Sequence, residues 1–161
     1  MYRSIGRNVT AGRQARSDRG LRPKWQSGCM APTRPVNLYS ALAGFSETYS
    51  PRIVGRMNDY DVKIAHALGE HVRHTHDDTD EFFLVLEGEF DITLYQGDGS
   101  DETVALRAGD VFVVPRGLAH KPSSNGGSVL MFERAGTSST GDHHDGPVPG
   151  HVDSTTGHGL A

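Results

Sequence analysis

Between Asp61 and Arg134 the apolar residues recur with a period of two, in short runs broken by Gly- and Pro-bearing turns, with no helical run between them. A period of two sends alternate side chains to opposite faces of a strand. Short strands at close spacing, without intervening helices, exclude a βαβ parallel sheet and indicate an antiparallel sandwich or barrel. "EFDITLY" is the clearest run, with Phe90, Ile92 and Leu94 facing in and Glu89, Asp91 and Thr93 facing out. "FFLVLEG" is apolar on both faces, as expected of a strand covered on both sides. "DVKIAHAL" also alternates, "QGDGSDE" reads as a hairpin turn, and "TVALRAGD", "VFVVPRG" and "SVLMFER" predict three further strands.

The flanks are of a different composition. At 161 residues the chain suits one domain with tails, and its 35% hydrophobic content still permits one core because those residues concentrate between Val62 and Phe132. In the lead-in, 30–60, Asn37 is a candidate N-cap, and Leu38, Leu42, Phe45 and Tyr49 follow one helical stripe that Pro51 ends. Residues 1–29 carry a net charge of +6 and the remainder −10. The basic stretch lacks the apolar core of a secretory signal. It is compatible with a transit segment, a disordered basic extension, or a start at Met30. The acidic body has no clustered Lys and Arg of the kind nucleic acid requires, so no nucleic-acid partner is expected. No run approaches the ~18 apolar residues of a membrane span, so no membrane partner is expected either. Cys29 is the single cysteine, which excludes an internal disulfide framework and fits a cytoplasmic protein. Residues 135–161 are rich in Gly, Ser and His and cannot form a core of their own, so a solvated or loosely docked tail is expected there.

The chemistry concentrates in "GEHVRHTHDDTDEFFLVLEG". His74 and His76, two apart on a strand, point to one face roughly 6–7 Å apart and can converge on one ion. Glu81 opens the next strand and can return a carboxylate to the same place, and His120, after the "PRGLA" turn, is the best candidate for a fourth ligand. Asp77, Asp78 and Asp80 read as loop residues, and His66 and His71 as core or rim histidines. His143, His144, His151 and His158 read as tail residues. Pro115 and Gly117 predict the tight bend that returns His120 to the barrel, and Gly88 and Gly109 mark the other turns. Arg116 and Lys121 flank His120 where an anionic substrate could meet them.

His74-x-His76-x4-Glu81-x6-Gly88, followed by Gly109-x5-Pro115-x-Gly117-x2-His120, resembles the paired motifs of the cupin superfamily, and the wider pattern is similar to small single-domain bacterial cupins. The resemblance covers residues 60–134. It implies an all-β, double-stranded β-helix (jelly-roll) barrel over 61–134 with one short N-terminal helix. It also implies one divalent metal ion, Fe, Mn, Ni or Zn, held by His74, His76, Glu81 and His120. The implied function is that of a metal-dependent enzyme acting on a small oxygen-rich molecule by dioxygenase, isomerase or decarboxylase chemistry. A non-catalytic binding or sensing module is the alternative, and a metal that only staples the barrel a third. A small-molecule ligand and pairing into a homodimer complete the expectation.

Overall fold

The computed structural model describes residues 34–160, so the expectations for 1–29 lie outside the described residues. The elements are α1 (Leu38–Leu42), β1 (Arg52–Met57), β2 (Tyr60–Glu70), β3 (His74–Thr75), β4 (Glu81–Tyr95), β5 (Glu102–Arg107), β6 (Val111–Val114), β7 (Ala119–Arg134), β8 (His143–His144) and β9 (His158–Gly159). The chain forms the expected all-β jelly-roll barrel with one short helix. Strands pair in the order β5-β4-β7-β2-β1-β9, with β6 also on β4 and β3 on β7. All these pairs are antiparallel except β1 beside β9.

The frame is the long β4–β7 pair, which runs from Phe82 opposite Phe132 to Tyr95 opposite Ala119 with two shifts of register between. "FFLVLEG" and "EFDITLY" are therefore one strand, bent where the register shifts around Gly88. Gly88 has φ +70°, and a Cβ there would lie 2.1 Å from the Gly126 carbonyl oxygen, so only glycine fits. Past the bend β4 changes partner: β6 pairs its first residues, Glu81–Leu84, and β5 pairs Glu89–Leu94.

Alternation along these strands separates two apolar layers. Phe83, Val85, Phe90, Ile92 and Leu94 pack inside the barrel with Ala65, Val129 and Met131. Phe82, Leu84 and Leu86 turn outward onto Ile64, Leu130 and Leu42 of α1. This is why "FFLVLEG" is apolar on both faces: one face fills the barrel and the other meets the helix. Each large apolar side chain so buried contributes roughly 1.5–3 kcal/mol relative to exposure.

The lead-in differs from expectation in two ways. The helix stops at Ala43 rather than running to Pro51. Asn37 does cap it, its side chain accepting the Ser40 N–H at 2.9 Å. His66 Nε2 lies 3.0 Å from the Leu42 carbonyl oxygen and 3.2 Å from that of Phe45, so the ring closes the helix C-terminus. Phe45 then packs with the outer layer while Tyr49, at φ 47°, enters the inner one, a split that one helical stripe does not allow. The second difference is β1, whose Val54 joins the outer layer although flanking Arg52 and Arg56 obscure the period.

After β7 the chain folds back over the barrel. β8 pairs with β3, β9 pairs with β1, and Val152 is buried in the inner layer. The segment has no core of its own and shares that of the barrel. Among the described residues, no helix is long and apolar enough to cross a membrane.

Candidate metal centre

β3 runs beside the start of β7, which sets His74 directly opposite His120. The turn before β7 is the one expected from Pro115 and Gly117: the Leu118 N–H donates to the Pro115 carbonyl, and Gly117 has φ +78°. The Gly117 N–H in turn donates to the His76 carbonyl at 2.7 Å, which ties the turn to the two histidines. Glu81, at the first position of β4, points into the same space. The result is a buried group of His74, His76, Glu81 and His120 in which one potential ligand atom from each residue lies within 4.8 Å of all the others.

Hydrogen bonds orient two of the imidazoles. His74 Nδ1 lies 2.9 Å from the Val72 carbonyl oxygen and His120 Nδ1 lies 3.1 Å from that of Leu118. A carbonyl accepts only, so each Nδ1 carries a proton, and the neutral His74 presents the lone pair of its Nε2. His120 Nε2 is 2.9 Å from Glu81 Oε2. His76 Nε2 is 3.4 Å from the same oxygen but lacks hydrogen-bond geometry, and neither His76 ring nitrogen nor His74 Nε2 has a partner. Buried imidazole nitrogens left unpaired are costly, and a divalent cation fits the cavity they surround. Three neutral imidazoles and a carboxylate suit Fe, Mn, Ni or Zn.

The electrostatics agree with that use at Glu81 and His74. Burial would raise the Glu81 carboxyl, but His120 and His76 outweigh it and hold it well below the usual carboxylate range. Burial, reinforced by His120, pushes His74 well below the usual imidazole range, so it is neutral near pH 7. Burial also disfavours a charged His76, yet the adjoining Glu81 carboxylate outweighs it and raises that ring's pKa. Metal ligation requires the deprotonated forms, an ionised Glu81 and neutral imidazoles.

Other residues singled out in the sequence lie outside the group. His71 is buried beside it, its ring 4.9 Å from that of His74, and burial lowers its pKa to about 4. Asp80 accepts the Arg116 N–H at 2.9 Å and Asp77 stands 3.1 Å from His143, both as loop contacts. Lys121 pairs with Glu70 at 3.1 Å. His144 and His151 bond to backbone carbonyls, and His158 lies against Asp153.

Sequence reasoning missed Lys63 and Glu133. Both are buried inside the barrel, where Lys63 Nζ meets Glu133 Oε2 and also donates to the Thr137 carbonyl at 3.2 Å. Burial and the nearby Glu81 push Glu133 up to about 8, against the pull of Lys63. The signal was present: Lys63 shares the face of Ala65, and Glu133 that of Met131, and both faces point inward.

Comparison with known proteins agrees with the geometry. Residues 62–132 match the model of the cupin domain family. The chain is 36% identical over 89 residues to the uncharacterized protein YdbB of Bacillus subtilis, covering 55% of this chain and 74% of that one. It is 34% identical to a cupin-2 domain containing protein from Shewanella frigidimarina of known structure, with a TM-score of 0.57 over 62% of this chain and 93% of that one. The chain belongs to the cupin superfamily. This cupin is also 29% identical over 104 residues to the 3-hydroxyanthranilate 3,4-dioxygenase of Xanthomonas campestris, covering 62% of this chain and spanning 58% of the length of that enzyme. The four-residue group of this cupin lies wholly within the segment that the family model matches.

Proposed function

We propose that this cupin binds one divalent ion through His74, His76, Glu81 and His120 and uses it as an enzyme acting on a small oxygen-rich molecule, by dioxygenase, isomerase or decarboxylase chemistry. The observation that carries the reading is the set of buried, unpartnered imidazole nitrogens facing the Glu81 carboxylate. When bound, the ion supplies Lewis acidity to a chelating oxygen ligand. The chain's own residues do the remaining work. The Val72 and Leu118 carbonyls orient His74 and His120, Phe83 and Phe90 line the floor, and Glu81 stays ionised. The likeness to a 3-hydroxyanthranilate dioxygenase supports oxygen chemistry over the other two.

Purified protein should carry about one Fe, Mn, Ni or Zn per chain by elemental analysis, and the double variant His74→Ala with His76→Ala should carry none. Full occupancy in that variant would end the assignment. Turnover of a panel of small acids, enols and sugars by metal-reconstituted protein then separates an enzyme from the alternative, a non-catalytic binding or sensing module. Two further readings belong with this one. The solvent-exposed Val111 and Val113 of β6 support a homodimer built on that strand. The single cysteine supports a cytoplasmic location, and the acidic body supports the absence of a nucleic-acid partner.

A further inference from the structure

The cavity beside the four-residue group is small. It has a volume of about 30 Å³ and is lined by His74, Glu81, Phe83, Phe90 and Met131, together with Ser139 from beyond the cupin match. A water needs roughly 10–15 Å³ measured this way, and a cavity that takes benzene is on the order of 150 Å³. The space therefore admits two or three heavy atoms and no ring.

Ser139 supplies the wall on this side, and the segment that carries it, residues 137–153, is fastened at several points. The Asp142 N–H donates to the Thr75 carbonyl at 2.9 Å, and the Asp145 N–H to that of Arg73 at 3.0 Å. Farther along, the Asp153 N–H donates to the Tyr49 carbonyl at 3.0 Å, and Ser50 Oγ to Asp153 Oδ2 at 2.9 Å. Thr140 and Val152 are buried, and Val152 packs with Tyr49 in the inner layer. The fit is closest at Gly141, where φ is +72° and a Cβ would stand 2.5 Å from the Thr75 oxygen and 3.0 Å from His74 Cδ2. Any side chain at 141 must push the segment off β3.

We infer that residues 137–153 set the size class of what reaches the metal centre: while docked they admit dioxygen- or water-sized molecules, and a larger organic ligand enters by displacing them. The inference rests on the metal reading for its purpose, and one arm of its test does not.

The test has a metal-free arm and a metal-loaded arm. In the metal-free arm, diethylpyrocarbonate labelling is followed residue by residue by mass spectrometry. It compares the full chain with Gly141→Val, with Val152→Ala, and with a chain ending at residue 136. His76 and His120 should label at least tenfold faster in the variants, while His66, on the other side of the sheet, stays at its original rate and reports an intact barrel. In the metal-loaded arm, cobalt-substituted protein is titrated with azide and with 4-nitrocatechol. Azide should bind alike in every form, and 4-nitrocatechol should associate at least tenfold more slowly with the unaltered chain than with Gly141→Val. Equal labelling of His76, His120 and the exposed His143 in the unaltered chain overturns the inference, with no variant needed. So does equal 4-nitrocatechol association in all forms. Absence of a cobalt band with slow His120 labelling removes the metal reading and leaves the wall standing.

Discussion

The Lys63 ammonium and the Glu133 carboxyl group meet inside the barrel with side chains 0% and 2% exposed, Glu133 on the strand that pairs with that of Glu81. Removing Lys63 leaves the Glu133 carboxyl, whose pKa burial and Glu81 already raise to about 8, without its partner, and a buried polar group so orphaned costs about 1–3 kcal/mol. Lys63→Ala should therefore lower stability by that amount in urea denaturation. Replacing the pair together, Lys63→Met with Glu133→Leu, should recover most of it. A double variant as unstable as the single one would mean that the pair does more than balance charge.

Gly88 predicts a backbone-controlled loss. Gly88→Ala forces a positive φ on a residue with a Cβ, which costs roughly 1–3 kcal/mol before any clash is counted. The Gly126 oxygen 2.1 Å from that Cβ adds to the penalty. The melting temperature should fall by several degrees, whereas Gly97→Ala, with open space around it, should pay only for its φ. Equal effects at the two positions would show that the β4–β7 crossing is not as close as described.

Asp153 predicts an acid dependence of stability. Burial would raise its pKa from 3.8, but hydrogen bonds from Thr155, His158 and Ser50 outweigh that and bring it down to about 2. A carboxyl with a depressed folded-state pKa stabilises the fold above its unfolded value, and that stabilisation is lost as pH falls from about 4 toward 2. Asp153→Asn should flatten the stability profile across that window and leave the profile above pH 5 parallel to the original. An unchanged slope below pH 4 would remove Asp153 from the fastening of the C-terminal segment.

The dimer reading has its own test. Val111 is 59% exposed and Val113 47% exposed on β6, which pairs with β4 on one side. If that strand is the contact, Val113→Lys should convert a dimeric light-scattering mass at micromolar concentration to a monomeric one without lowering the melting temperature by more than a few degrees. A monomeric mass for the unaltered chain refutes the dimer outright.

How much of this could be read beforehand follows from what each pattern encodes. Phe90, Ile92 and Leu94 were readable because one face of their strand is buried and the other wet, so alternation records orientation directly. His74, His76, Glu81 and His120 stood out because motif spacing carries both residue type and turn geometry, and the fold does bring the four together. Lys63 escaped because a charged residue at an inward position contradicts the rule by which inward positions are recognised. The short helix was over-extended because Phe45 and Tyr49 both face cores, but different ones, and a helical wheel has no way to distinguish them. The docking of Val148 and Val152 was hidden by composition: two valines among glycines, serines and prolines do not resemble an apolar segment, yet they complete a layer already built.

The pairing of β1 with β9 places Arg52 beside His158, near the two ends of the described chain. Contacts between residues so distant in sequence require the entropy of a long loop to be spent before they yield anything. The β4–β7 pair can form first from partners nearer in sequence, and the C-terminal segment can lock only once β9 reaches β1. This chain should accordingly fold on the slow, millisecond-to-second scale of barrels rich in distant contacts, with its final phase set by the arrival of β9 at β1.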